Sequence, residues 1–336
     1  MLRIIEGDYA YASARIRAKE TKLLRSGHFD RMLDASSPED ALKVLAESEY
    51  GFGGECPADI FAFEKLLDDE LKKTYLLLLE IAPQPDIIKA FQRKYDFFNV
   101  KVLLKAELSG QDVPPILADA GTFAKEAVWR MIRERDYSEF TPVMREAVAE
   151  TRDAFARLQD PQVIDLLLDK ASYHQFASDI GQMDSRFLRE IAEITIDAAN
   201  IRMFVRARSL GREWDFIKKL LLSDGTITEE VYYANSGKPL DVFVGQIHST
   251  RYGDAVRKGW ELSGKMNFSA GLEKCLNNYL LDHIRGAKLV TMGIEPVIAW
   301  LYAKETEIRN VRIIMTGRIN GLPAETIRER LRAGYV

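Results

Sequence analysis

The chain has 336 residues, 47% apolar and 29% charged, with 21 Gly and 11 Pro, a composition that folds into globular units and excludes collagenous, disordered and membrane-embedded classes. Its 47 Lys and Arg against 51 Asp and Glu give a formal charge of −4, and the cations are scattered among acids, which excludes nucleic acid as the main partner. The length accommodates two or three domains or one array of repeated units, a choice that only periodicity makes.

Residues 1–8 have neither the apolar run nor the small-residue cleavage site of a signal peptide, so a cytoplasmic location is expected. Ser37-Pro38-Glu39-Asp40 combines a capping hydroxyl, a proline at the first helical position and an acid, which predicts a helix start. The most apolar stretch, residues 74–82, is interrupted by Glu80 and falls far short of the ~20 residues that cross a bilayer. Apolar residues recur at steps of three and four throughout, and strict alternation is rare. Long helices are predicted over residues 94–109, 194–210 and 297–320. Thr141-Pro142, Asp160-Pro161 and Leu322-Pro323 are further starts, and Gly110, Gly211, Gly286 and Gly321 are stops. The expected class is all-α. Cys56 and Cys275 lack CxxC spacing and read as independent reduced thiols.

The three long helices carry one motif. Asp96, Asn99 and Lys101 recur as Asp197, Asn200 and Arg202, and again as Glu307, Asn310 and Arg312. The acid lies three residues before the Asn, the cation two after, and a glycine 11 after; the three Asn are 101 and 110 residues apart. A second block supports the register, since Glu64 and Asp68 stand 101 residues before Asp165 and Asp169. The spacing predicts three pseudo-threefold-related helical repeats, 1–120, 121–222 and 223–336, closing into a funnel with a central opening. On a wheel of about 100° per residue, the acid and the Asn share the apolar face, and the cations, with Lys105 and Arg206, form the opposite stripe. The acid–Asn pairs therefore read as buried polar pairs that fix helix register, with a polar cavity lining as the alternative. The cations read as a solvated face or, because all three hold one equivalent place, as a ring of partner-binding charge.

Catalytic signatures are weak. The run from Gly259 through Gly264-Lys265-Met266 matches P-loop spacing but has Met where the Mg²⁺-binding hydroxyl belongs, and a polar helical segment precedes it where a strand is needed. Gly51-Phe52-Gly53-Gly54 lacks the lysine altogether. His28, His174, His248 and His283 are far apart and form no HExxH or paired metal spacing. No catalytic, cofactor-binding or metal-binding residue is expected.

Several blocks resemble a known family, the C subunits of the V/A-type ATPases, counterparts of the d subunit of eukaryotic V-ATPases. They are Tyr9-Ala10-Tyr11-Ala12-Ser13-Ala14-Arg15-Ile16-Arg17-Ala18 with Leu23-Leu24, then Ala41-Leu42 and Glu47-Ser48-Glu49-Tyr50-Gly51. At the other end stand residues 295–305, Asn310-Val311-Arg312 and Gly321-Leu322-Pro323. The resemblance implies a funnel seated on the membrane proteolipid ring, peripheral to the cytoplasmic face, whose mouth receives the central shaft subunits D and F. It implies a non-catalytic adaptor that passes torque, coupling ion translocation to ATP synthesis or hydrolysis, and no cofactor. Lys101, Arg202 and Arg312 are the candidate partner-binding residues. The rival readings are a free-standing all-α repeat scaffold, for which a period near 105 residues is too long, and an all-α enzyme, which lacks a polar cluster.

Overall fold

Helix starts follow the chemistry of the first turn. The Ser37 hydroxyl accepts from the Asp40 N–H at 3.1 Å and the Thr141 hydroxyl from the Met144 N–H at 3.2 Å, each followed by a proline at the first helical position. The computed structural model describes residues 2–48, 50, 59–113, 116–262 and 268–336. Among these, the chain begins with α1 (Ala10–Glu20), α2 (Ser26–Leu33), α3 (Pro38–Ala46) and α4 (Phe63–Ile81). It continues through α5 (Pro85–Ser109), α6 (Lys125–Glu134), α7 (Pro142–Leu158), α8 (Gln162–Gly181) and α9 (Arg186–Ser209). Three short helices follow, α10 (Trp214–Leu220), α11 (Glu229–Tyr233) and α12 (Leu240–Ile247), then α13 (Gly253–Glu261), α14 (Phe268–Arg285), α15 (Ile294–Ile319) and α16 (Ala324–Arg330). The protein is all-α, with a single two-stranded parallel pairing of β1 (Leu2–Arg3) and β2 (Met183–Asp184) among the described residues.

The three long helices α5, α9 and α15 begin earlier than their periodicity predicts, by nine, eight and three residues respectively, but end within a residue of where it puts them. Each stop has the same geometry. Gly110, Gly211 and Gly321 take φ of 64°, 65° and 67°, a left-handed conformation that only glycine adopts without strain. The next residue's N–H then closes on the helix: Gln111 on the Ala106 carbonyl at 2.9 Å, Arg212 on Ala207 at 3.0 Å and Leu322 on Gly317 at 2.9 Å.

The chain forms two compact units, one of residues 1–4 and 84–249, the other of residues 5–83 and 250–336. In the first, α8 runs antiparallel to α5, and α9 returns beside α8. Phe97, Val100, Leu103 and Leu104 of α5 pack with Val128, Met131 and Ile132 of α6, Met144 and Val148 of α7, and Ile164 and Leu168 of α8. In the second unit α15 is the central helix, surrounded by α1, α2, α3, α4, α14 and α16. Its Ile308, Val311, Ile314 and Met315 meet Phe29, Met32 and Leu33 of α2, Leu42 and Leu45 of α3, Leu66 and Leu67 of α4, and Ile327 of α16.

The first glycine of the P-loop-like run serves packing. Gly259 lies inside α13 against α14, where a Cβ would stand 2.8 Å from the Leu272 Cα, so its absence is what lets the two helices approach. Residues 263–267 of that run, the glycines of residues 51–54, Glu49 and Cys56 lie outside the described residues. Cys275 is a half-buried free thiol.

Candidate partner-binding surface

The acid–Asn pairs of the three motifs are buried, as the wheel predicts: Asp96, Asn99 and Asp197 are 0% exposed, Asn200 and Asn310 1%, Glu307 4%. Each Asn satisfies both halves of its amide on the backbone of a single downstream residue. Asn99 donates to the Ala118 carbonyl at 2.9 Å and accepts from the Ala118 N–H at 2.8 Å. Asn200 does the same with Leu222 at 3.0 and 2.8 Å, and Asn310 with Arg332 at 3.0 and 2.9 Å. The partner in each case is a non-helical segment that returns along the long helix, so the amide holds a strap and not the flank of a neighbouring helix.

The acids clasp the same straps in the first two motifs. Asp96 accepts from the Thr122 hydroxyl at 2.6 Å and from the N–H groups of Thr122 and Phe123 at 3.1 and 3.2 Å. Asp197 accepts from Thr226 N–H at 2.8 Å, Ile227 N–H at 3.2 Å and the Thr226 hydroxyl. Both clasps need a glycine, since a Cβ at Gly121 would overlap the Asp96 carboxylate and one at Gly225 the Asp197 carboxylate. Burial pushes the Asp96 carboxyl up to about 6, against the opposing pull of the Thr122 and Phe123 hydrogen bonds and the Arg93 charge.

The third motif departs. Its acid is the longer Glu307, which turns to the N-terminal part of the chain, accepting from the Leu24 N–H and, at 2.6 Å, from the Tyr50 hydroxyl. Lys304, one turn earlier, is 3% exposed and bridges Glu307 at 2.7 Å to Glu70 of α4 at 2.8 Å, its ammonium 4.4 Å from the centre of the Tyr50 ring. Burial pulls the Lys304 ammonium down, but the two carboxylates outweigh it and leave it above its ordinary value; burial and Glu307 drive the Tyr50 phenol far up. Sequence reasoning placed Glu307 on the buried face but did not single out Lys304, Glu70 or Tyr50 as its partners, because they are brought to it by contacts that the helical period does not report.

Two of the three motif cations lie on helix seams. Lys101, its side chain 20% exposed, pairs with Asp169 at 2.7 Å and reaches Asp165 at 3.9 Å, while Lys105 takes Asp165 at 2.6 Å. Arg312 pairs with Glu64 at 2.9 Å and Asp68 at 3.5 Å. The two acidic blocks matched in the sequence are thus the partners of two of the three cations. Arg202 is half-buried and donates to the Ala198 carbonyl of its own helix at 3.2 Å. No helix among the described residues is long and apolar enough to cross a membrane.

The blocks that carry the family resemblance meet within the second unit. The Ser13 hydroxyl bonds both the N–H and the carbonyl of Gly293, at 3.2 and 3.3 Å, and Arg17 donates to the carbonyls of Ala287 and Val290 at 2.8 and 2.7 Å. The N-terminal block thereby clamps the turn that leads into α15, and Leu24 and Tyr50 close on Glu307. Comparison with known proteins agrees. The chain is 25% identical to the C subunit of the A-type ATP synthase of Methanocaldococcus jannaschii over 96% of its own length and 86% of that protein. It is 24% identical to the C subunit of the V-type sodium ATPase of Enterococcus hirae, over 98% and 99%, and 25% identical to the A-type ATP synthase C subunit of Haloferax volcanii, over 96% of each. Residues 12–330 match the ATP synthase (C/AC39) subunit family, and the chain belongs to it.

Proposed function

We propose that the chain is the non-catalytic central-stalk adaptor of a rotary V/A-type ATPase or ATP synthase. In this reading it seats the shaft subunits D and F on the membrane proteolipid ring, at the cytoplasmic face, and transmits the torque that couples ion translocation to ATP synthesis or hydrolysis. The observation that carries it is the family match over residues 12–330, with relatives that are themselves C subunits of such complexes. The construction suits the role. An adaptor under torque has to resist shear, and the long helices are fixed by close packing and by buried polar clasps, whose hydrogen bonds are directional and costly to leave unmade. The one-residue Asn clasp at all three motifs supports the proposed three repeats, 1–120, 121–222 and 223–336, arranged as a funnel. Lys101, Arg202 and Arg312 remain the proposed partner-contacting residues of those repeats.

The test is co-isolation. The full-length chain should bind a detergent-solubilised proteolipid ring and, separately, a purified D–F shaft complex. Binding to neither, by a chain whose circular dichroism shows it folded, overturns the proposal.

A further inference from the structure

The strap held by Asn310 is bound differently from the other two. Those are gripped by both halves of their motif, the Asn and the acid, whereas the acid of the third motif, Glu307, is taken by Leu24 and Tyr50. Residues 331–336 are non-helical and lie along α14 and α15 as a bound peptide would. The Asn310 amide pairs with the carbonyl and the N–H of Arg332 at 3.0 and 2.9 Å, Asn278 of α14 accepts from the Ala333 N–H at 2.9 Å, and Arg285 donates to the Gly334 carbonyl.

Two side chains of this segment are gripped as well. Arg332 pairs with Glu273 of α14 at 3.0 Å. Tyr335 is buried, with its hydroxyl donating to Glu20 of α1 at 3.3 Å and its ring 4.8 Å from the Lys288 ammonium. Ala333 and Gly334 are held through their backbone, and a Cβ at Gly334 would meet the Val336 carbonyl oxygen at an ordinary 3.4 Å, so neither position demands its residue. One buried aromatic anchor, one ion pair and successive main-chain hydrogen bonds are the means by which grooves recognise extended peptides. A small cleft beside Tyr335 and Val336, walled by Leu23, Leu24, Phe29 and Ala303, continues the groove past the anchor.

We infer that this face of α14 and α15 is a recognition site for an extended peptide of the pattern Arg-x-x-Tyr, filled by the chain's own residues 332–335 and able to take the same segment from a second copy of the chain. Exchange of an identical element breaks and remakes the same contacts, so only the tether favours the chain's own strap. The groups that read the peptide do not need it to be positioned. Glu273, Asn278, Arg285 and Asn310 project from helices that bury Leu272, Leu276, Leu281, Val311 and Ile314 in the unit's interior. A tethered strap acts at high effective concentration, so a free peptide enters where that strap has lost its two side-chain anchors.

The probe is a fluorescently labelled peptide of residues 331–336, titrated by anisotropy into the full-length wild-type chain and into a full-length chain carrying Arg332→Ala with Tyr335→Ala, folding being verified by circular dichroism. The substituted chain should bind the peptide roughly tenfold or more tighter than the wild type does, because its own strap no longer competes. A peptide with Tyr335→Ala should lose about tenfold or more in affinity, one with Gly334→Ala should keep most of it, and adding Asn278→Ala to the substituted chain should weaken binding. Absence of saturable binding to the folded, substituted chain overturns the inference. Equal binding to both chains, or equal binding of the wild-type and Tyr335→Ala peptides, overturns it too. Should the substituted chain fail to fold, a wild-type chain with a protease site inserted between Arg330 and Leu331 is cleaved after folding. Release of the segment on dilution and its saturable return support the site; unfolding on cleavage, or a released segment that does not return, overturns it.

Discussion

An asparagine amide presents one of its two N–H donors beside its carbonyl oxygen in one plane, so a single side chain pairs with both the C=O and the N–H of one backbone residue. Asn99, Asn200 and Asn310 each do so from a fully buried position. Replacing any of them by Leu keeps the apolar volume but strands a backbone N–H and a C=O, and each variant should lose ~1 to 3 kcal/mol of stability. Denaturant midpoints measure this; three unchanged midpoints would mean that water replaces the amide at no cost. Asp96 adds a pH dependence. Its folded value, pushed from an ordinary 3.8 up to about 6, means that the native state holds this proton at pH values where the unfolded chain has released it. Stability from this group is therefore fully present below about pH 4 and lost as pH rises through 6, by about 3 kcal/mol in all. Comparing unfolding free energies of the wild type and Asp96→Asn between those limits isolates it. The difference should shift against the wild type as pH rises; a flat difference would show that the clasp keeps the carboxylate ionised throughout.

Among elements, the tie between α4 and α15 is made by buried charge. Lys304 lies within hydrogen-bonding distance of both Glu70 and Glu307, and all three are buried, so none of their charges can be recovered by water. Removing the cation by Lys304→Met leaves two buried carboxylates without a counter-charge, and should destabilise by ~3 to 5 kcal/mol. Tyr50→Phe, which removes one neutral donor to Glu307, should cost less, about 1 to 3 kcal/mol. Equal losses in thermal or denaturant unfolding would show that the cluster is not electrostatically coupled. The helix ends needed no such network. Their stops were readable because an αL glycine after a periodic run has one common use, and Gly110, Gly211 and Gly321 all have it. The starts of α5 and α9 were less readable, because their first turns are amphipathic only against neighbours that periodicity does not name.

At the scale of the molecule, one motif recurs three times while the chain packs as two units, the first holding two motifs and the second one. The likeness between motifs is in their local chemistry, and the third has exchanged its acid's partner for the N-terminal block. The P-loop-like run has Met266 where the Mg²⁺-binding hydroxyl belongs. Titration of Mg-ATP into the isolated chain by calorimetry should give no saturable heat, and saturable micromolar binding that disappears in Lys265→Ala would overturn that expectation. Gly259, the first residue of the P-loop-like run, is already committed to the contact between α13 and α14.

The sequence by itself determined the all-α class, the ends of the long helices, the buried placement of three acid–Asn pairs and the family blocks at both ends. Each of these depends on residues within a few turns of one another, and helical periodicity reports the direction of such side chains directly. Only the tertiary structure decided what those side chains meet. Asn99 and Asn200 find straps 19 and 22 residues downstream, whereas Glu307 finds partners 283 and 257 residues away, at Leu24 and Tyr50. Tertiary contacts likewise buried Lys304 between Glu70 and Glu307, gave Lys101 and Arg312 their carboxylates and gave Arg202 a carbonyl of its own helix. A charge in a helical pattern has the same signature whether it ends in water, in an ion pair or against a partner, because periodicity fixes the face and not its occupant.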